Sequence, residues 1–190
     1  AGVVYTHPHA DHTHGIDDLR MIVFNMRQRL PVWADAYTQD SLIGRFGYAF
    51  EQPEWSNYPP ILEMNDIDGA FEVDGPGGAI DFLPFSVPHG GMNALGFRIG
   101  DVAYLPDVAD LADDTMDHLQ DLDLWIVDAL RYEPHPTHAH LEKTLGWIEA
   151  AKPKRAIITN MHVDLDYATL AAELPDGVEP AFDTMRVTFP

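Results

Sequence analysis

The sequence predicts a layered α/β sandwich, and three observations carry that prediction. Short apolar runs bounded by Gly, Asp and Pro fill residues 61–105 and read as strands. Strand and helix patterns alternate from there towards the end. A dense group of polar side chains, Thr6-His7-Pro8-His9-Ala10-Asp11-His12-Thr13-His14-Gly15, stands between an opening strand and a helical pattern.

Residues 1–5, Ala-Gly-Val-Val-Tyr, are apolar and β-branched and read as the end of a buried strand. Over 15–30, Ile16, Leu19, Ile22, Val23, Met26 and Leu30 recur near a 3.6 period, so a helix is expected there, ended by Pro31. A short strand over 31–34 follows, then a helix over 37–46 with Leu42, Ile43 and Phe46 on its apolar face. Residues 46–60 are rich in aromatics, Gly and Pro and have no clean period. The plain reading is a loop packed by its own aromatics; the functional one is a lid or substrate wall.

Strands are expected over 61–64, 70–73 and 79–85, and a hairpin over 94–99 and 102–105 about Gly100-Asp101. A polar helix over 111–119, a buried strand over 124–128 and a helix over 140–151 stopped by Pro153 come next. A strand over 155–159, a short helix over 167–174 before Pro175 and a last strand over 185–189 complete the chain. Nothing marks a linker or a boundary, so 1–190 is expected to form one domain, long enough for a sizeable core.

Composition bounds the function. The hydrophobic fraction of 46% is that of a globular chain, and no apolar run approaches the ~20 residues of a membrane span. No secretory signal, lipidation motif or internal repeat is visible. Cysteine is absent, which excludes disulfides, thiolate-bound zinc and thiol catalysis within these residues. A cytoplasmic location is the default expectation. With 31 acidic and 11 basic residues the net charge is −20, which repels long nucleic acids but not a small anion drawn to bound cations.

The polar cluster is the centre of the functional reading. Neutral imidazoles and a carboxylate suit Zn, Mn or Fe, and a water on such an ion becomes a nucleophile near neutral pH. His7 and His9 alternate as strand residues do, so both can face one ion; Asp11 and His12, past the turn, could face a second. A His-rich surface loop is the bland alternative, but such loops are monotonous and do not interleave an Asp after a buried strand.

The run Thr6-His7-x-His9-x-Asp11-His12 resembles the signature of the metallo-β-lactamase fold superfamily, and Gly15-Ile16-Asp17-Asp18-Leu19-Arg20 resembles its PhnP-like phosphodiesterase branch. That resemblance implies a four-layer αββα sandwich whose opening strands precede the motif, so the chain is expected to lack its N-terminal strands. It further implies two divalent ions, Zn or Mn, with Fe compatible with the same donors.

For His89, in Val87-Pro88-His89-Gly90-Gly91, the resemblance implies a ligand completing the first site with His7 and His9. Asp107 is implied as the carboxylate bridging both ions; an N-cap role is the alternative, and Asp110 could fill it equally. His162 is implied as completing the second site with Asp11 and His12. The chain departs from the pattern here, because the ligating His commonly follows the Thr directly and this chain has Asn160 after Thr159. In Arg131-Tyr132-Glu133-Pro134-His135-Pro136-Thr137-His138-Ala139-His140, His138 best matches a proton donor to the leaving oxygen, ahead of His140 and His135, and Thr137 could cap the next helix. His14 and His118 read as non-ligands, His118 solvated.

The expected function is a dinuclear metal-dependent phosphodiesterase, acting on a small or cyclic, ribosyl- or nucleotide-like phosphate ester through a metal-bridging hydroxide, with Asp11 and His138 catalytic. A carboxylic ester, lactone or thioester hydrolase on the same platform is the alternative, and a non-catalytic metal-binding accessory protein a third reading. A β-lactamase proper and a tRNA-trimming nuclease are disfavoured. The expected partner is a small anionic ester, with no membrane and no long nucleic acid; a homodimer would be ordinary.

Overall fold

The computed structural model describes residues 1–188. They fall into two compact units, Ala1–Phe82 and the residues from Leu83 on. The division lies inside a β-strand, which is why no shift of composition marks it.

In the first unit, β1 (Val3–Val4), β2 (Leu30–Ala34) and β3 (Leu62–Asp66) form a parallel sheet in the order β1-β2-β3. Along β2, buried Leu30, Val32 and Ala34 alternate with half-buried Pro31 and Trp33, the period of two that a one-sided core demands. Tyr5, Ile16, Val23, Leu42, Phe50 and Leu62 complete that core.

The helix expected over 15–30 is instead a 3₁₀ turn (His14–Asp18) and α2 (Leu19–Met26), preceded by a single turn, α1 (Ala10–Thr13). Arg27 closes α2 in the left-handed region at φ 56°, its N–H on the Val23 carbonyl at 2.8 Å. Leu30 fits the helical period and the strand equally well, and five-residue pairing with β3 decides for the strand.

The next helix is longer than expected. α3 (Ala36–Phe50) starts at an Asp35 cap whose Oδ1 accepts the Thr38 N–H at 2.8 Å. It kinks at Phe46 and resumes, so residues 47–50 are helical and the irregular segment begins at Glu51. Trp55 and Tyr58 stand out from that segment, 86% and 74% exposed. β4 (Phe71–Val73) then pairs antiparallel with the first residues of β5 (Ile80–His89).

In the second unit, β5 pairs antiparallel with β6 (Met92–Ile99), and β6 with β7 (Val102–Leu105). β7, β8 (Leu124–Asp128), β9 (Ala156–Thr159) and β10 (Val178–Pro180) run parallel in that order. The buried residues Val87 of β5, Leu105 of β7, Trp125 and Val127 of β8 and Ile158 of β9 belong to one core with Leu141, Ile148 and Ala151 of α5 (Leu141–Ala151). This is the mixed α/β architecture that the sequence predicts, sheets flanked by helices.

Four expectations in this unit are corrected. The strand expected over 79–85 runs on to His89, because the turn at Gly90 and Gly91 continues its pairing with β6. The helix expected over 111–119 is a single turn, α4 (Asp113–Met116), followed by a 3₁₀ turn. His118 in that turn is half-buried, its ring stacked on Phe85 at 5.2 Å. Finally, the strand expected over 185–189 is absent over 185–188, and Phe189 lies outside the described residues. The edge of β9 is taken by β10, which the chain reaches after α6 (Tyr167–Glu173) through a turn with Gly177 at φ 83°. Among the described residues no helix is long and apolar enough to cross a membrane.

Candidate metal centre

Two groups of polar side chains stand out, one in each unit. In the first, the extended chain leaving β1 turns into α1 at His9, and the Thr13 hydroxyl donates to the His9 carbonyl at 2.8 Å. Extended residues two apart, then one helical turn, gather three imidazoles. The His7 ring lies 4.7 Å from that of His9 and 4.3 Å from that of His12, centroid to centroid. His7 is wholly buried, and its Nδ1 meets the Thr6 hydroxyl at 3.0 Å. Asp11 is exposed, with Oδ2 3.4 Å from His12 Nε2. His14 turns away, its ring edge-on to Phe46.

The second group follows from strand direction. β5, β7, β8 and β9 all run the same way, so their carboxyl ends share one edge of the sheet. That edge is where open α/β sheets commonly bind ligands. His89 ends β5, Asp107 follows β7, Asp128 ends β8 and Asn160 follows β9.

His89 and Asp107 are each 1% exposed, and His89 Nε2 lies 3.3 Å from Asp107 Oδ2. The other ring nitrogen, Nδ1, is 2.7 Å from the Thr137 carbonyl, which can only accept, so Nδ1 carries a proton. Gly90, at φ 66°, permits that approach: a Cβ there would lie 2.5 Å from Thr137 Cγ2.

This geometry tests the fit to a metal. A His that donates Nδ1–H to a carbonyl presents a basic Nε2, the arrangement metal-bound histidines adopt. Here that Nε2 faces a carboxylate oxygen, an unfavourable meeting of two acceptors unless a cation or proton joins them. With imidazole and carboxylate donors and no thiolate, the residues fit Zn, Mn or Fe.

Asp128 is a candidate site residue that the sequence reading missed. It is 0% exposed; Oδ2 accepts the Val108 N–H at 3.2 Å and lies 2.9 Å from His138 Nδ1. Burial pushes its pKa up to about 6, against the opposing pull of His138. The available signal was a lone carboxylate closing the apolar run Leu124-Trp125-Ile126-Val127, since a buried carboxylate requires a partner. The His138 ring is 4.7 Å from His89 and 5.4 Å from His135. Burial, and then the nearby Arg131, lower the pKa of His135.

Thr137 does not cap α5. His140 holds the position before that helix without a side-chain cap, while Thr137 gives its carbonyl to His89. Neither Asp107 nor Asp110 caps α4, whose N-cap is Ala112 without a side-chain bond; Asp110 Oδ1 accepts the Leu111 N–H at 2.9 Å.

Among the described residues, the groups that could hold a metal do not include His162. Its side chain is 53% exposed and its Nδ1 is 3.3 Å from Asp164 Oδ2. Asn160 stands beside Asp107 in its place, with Nδ2 3.1 Å from Asp107 Oδ1.

Residues 1–161 match the model of the β-lactamase superfamily domain. The crystal structure of a diphosphatase from the PhnP family is 34% identical, with a TM-score of 0.87, over 100% of this chain and 71% of that one. An octanoyltransferase of Porphyromonas gingivalis (strain ATCC BAA-308 / W83) is 31% identical over 97% of this chain, which spans 37% of its length. Zn(2+)-bound PqqB from Methylobacterium extorquens shares the fold, with 16% identity and a TM-score of 0.73, over 99% of this chain and 73% of that one.

Proposed function

We propose a reaction for this chain on one premise: it belongs to the β-lactamase superfamily and, within it, to the PhnP family. The reading is a metal-dependent phosphodiesterase acting on a small or cyclic phosphate ester. His7, His9 and His89 would hold one divalent ion, Asp11 and His12 a second, and Asp107 would be shared. Such ions supply Lewis acidity towards a phosphate oxygen and a water molecule.

The observation that carries the reading is the His138–Asp128 pair, 2.9 Å apart, with the His138 ring 4.7 Å from that of His89. With Nδ1 on the buried carboxylate, His138 would present Nε2 as the proton donor, and a protonated imidazole can give its proton to an alkoxide leaving group. Asp11, exposed beside His12, would orient the attacking water. The acidic surface, net −20, favours a small ester over a long polyanion.

A second reading, hydrolysis of a carboxylic ester or thioester, is favoured by the likeness to a protein named for octanoyl transfer. The leaving group separates the phosphodiester from the thioester, since a thiolate leaves without an acid and an alkyl alkoxide does not.

The test is hydrolysis of bis-p-nitrophenyl phosphate, a cyclic ribose phosphate, a diphosphate ester and an acyl thioester, after metal removal and titration with Mn or Zn. The reading expects diester turnover restored by metal, with His138→Ala failing mainly on the cyclic ester. Turnover confined to the diphosphate would move the substrate to a P–O–P linkage. Turnover confined to the thioester, unchanged in His138→Ala, would replace it with the acyl reading.

A further inference from the structure

Three oxygens converge on the side-chain nitrogen of Asn160. Its Nδ2 lies 3.1 Å from Asp107 Oδ1, 3.3 Å from the Pro106 carbonyl and 3.4 Å from Asp128 Oδ1. Two of the three belong to carboxylates that are 1% and 0% exposed. A buried carboxylate needs positive charge or N–H donors around it, and here an uncharged amide supplies them. Its NH₂ end donates and has no lone pair to give a metal. The backbone is suited to this residue: Asn160 sits at φ 59°, a region that Asn enters far more readily than most side chains.

Asp107 is therefore approached from two sides. Oδ2 faces the basic nitrogen of His89 at 3.3 Å, and Oδ1 faces the amide hydrogens of Asn160. A cation on the Oδ1 side would meet N–H hydrogens where it needs a donor atom. His162 does not make up the deficit, since its ring turns to Asp164.

We propose that Asn160 stands in, as an uncharged donor, for a cation beside Asp107, so that the chain retains one divalent ion tightly and holds the second only in exchange. This rests on the two-ion reading of the site above.

The experiment counts metal rather than turnover. The full chain and its variants are saturated with Mn or Zn and desalted, retained metal per chain is measured by mass spectrometry, and rebinding is followed by calorimetry. Wild type is expected to retain one ion and Asn160→His two, with second-ion affinity about 10-fold or more tighter in the variant. His162→Ala should retain one ion, as wild type does.

Asn160→Gly keeps the left-handed backbone and removes the donor. Its second-ion affinity should rise several-fold, and it serves if Asn160→His fails to fold. Two ions retained by wild type, one by a folded Asn160→His, a lower count in His162→Ala, or unchanged second-ion affinity in Asn160→Gly would each overturn the proposal. A wild type that retains none would remove the metal reading beneath it. One retained ion in wild type and two in Asn160→His, with no diester turnover, would uphold this inference and remove only the phosphodiesterase reading.

Discussion

His138 Nδ1 lies 2.9 Å from Oδ2 of Asp128, a carboxylate with no exposed surface at the end of β8. In the proposed reaction the contact leaves Nε2 as the ring nitrogen that would deliver a proton. Asp128→Asn should therefore slow turnover of a poor leaving group by about 100-fold, the lower range for loss of a general acid. KM should be little changed, and p-nitrophenolate esters, which leave unaided, should lose far less. Steady-state kinetics on both substrates, compared with His138→Ala, checks this; equal losses on both would assign Asp128 a structural role.

The same burial makes stability depend on pH. Asp128 is raised from 3.8 to about 6 in the fold, so the folded state holds that proton more tightly than the unfolded chain. Its contribution is complete below about 4 and is lost as pH rises through about 6. In metal-free protein, the stability of wild type relative to Asp128→Asn should fall by about 3 kcal/mol over that window, since each tenfold gain in proton affinity is worth ~1.4 kcal/mol. Urea unfolding of both proteins at pH 4, 5, 6 and 7 measures it, and the pair with His138 is expected to titrate together.

Thr6 meets His7 Nδ1 at 3.0 Å, as Thr137 meets His89 at 2.7 Å through its carbonyl. Partners of this kind hold a ligand ring in the right orientation. Thr6→Val should weaken metal binding by about 10- to 100-fold while leaving the fold intact. His89→Ala should remove the tightly held ion altogether. Calorimetric titration with Zn or Mn checks both.

Gly96 faces Phe85 across the β5–β6 pair, and a Cβ there would run into the Phe85 ring and come within 2.9 Å of Leu105 Cδ1. Gly96→Ala should cost about 1–3 kcal/mol through overpacking. A shift of the denaturation midpoint with unchanged slope is the expected signature.

Asp35 caps α3 through its 2.8 Å bond from the Thr38 N–H. Asp35→Ala should cost about 1 kcal/mol, with activity unaffected, because the change is confined to one helix end. Thermal unfolding and a turnover assay together test that separation.

Local chemistry made much of this protein legible from the sequence. β7 and β8 lie where apolar runs bounded by Gly, Asp and Pro predict them, and the motif from His7 to His12 identifies its own chemistry because its residues are neighbours in the chain. Leu30 was not decidable, since an apolar residue serves a helix face or a strand until a partner strand chooses. Residues 185–188 were not decidable either, since alternation only makes a segment eligible and pairing makes the strand; the partner of β9 is β10, which the sequence reading did not expect.

Only tertiary structure brought Asp107, Asp128 and Asn160 together, across more than fifty residues of chain, through the parallel register of β7, β8 and β9. It also turned His162 to solvent, by the left-handed backbone at Asn160 and the pairing with Asp164. The sequence by itself determined which atoms are available to bind a metal or move a proton, because that is a property of residue type. Which of those atoms meet depends on long-range pairing and burial, and those exist only in the folded chain.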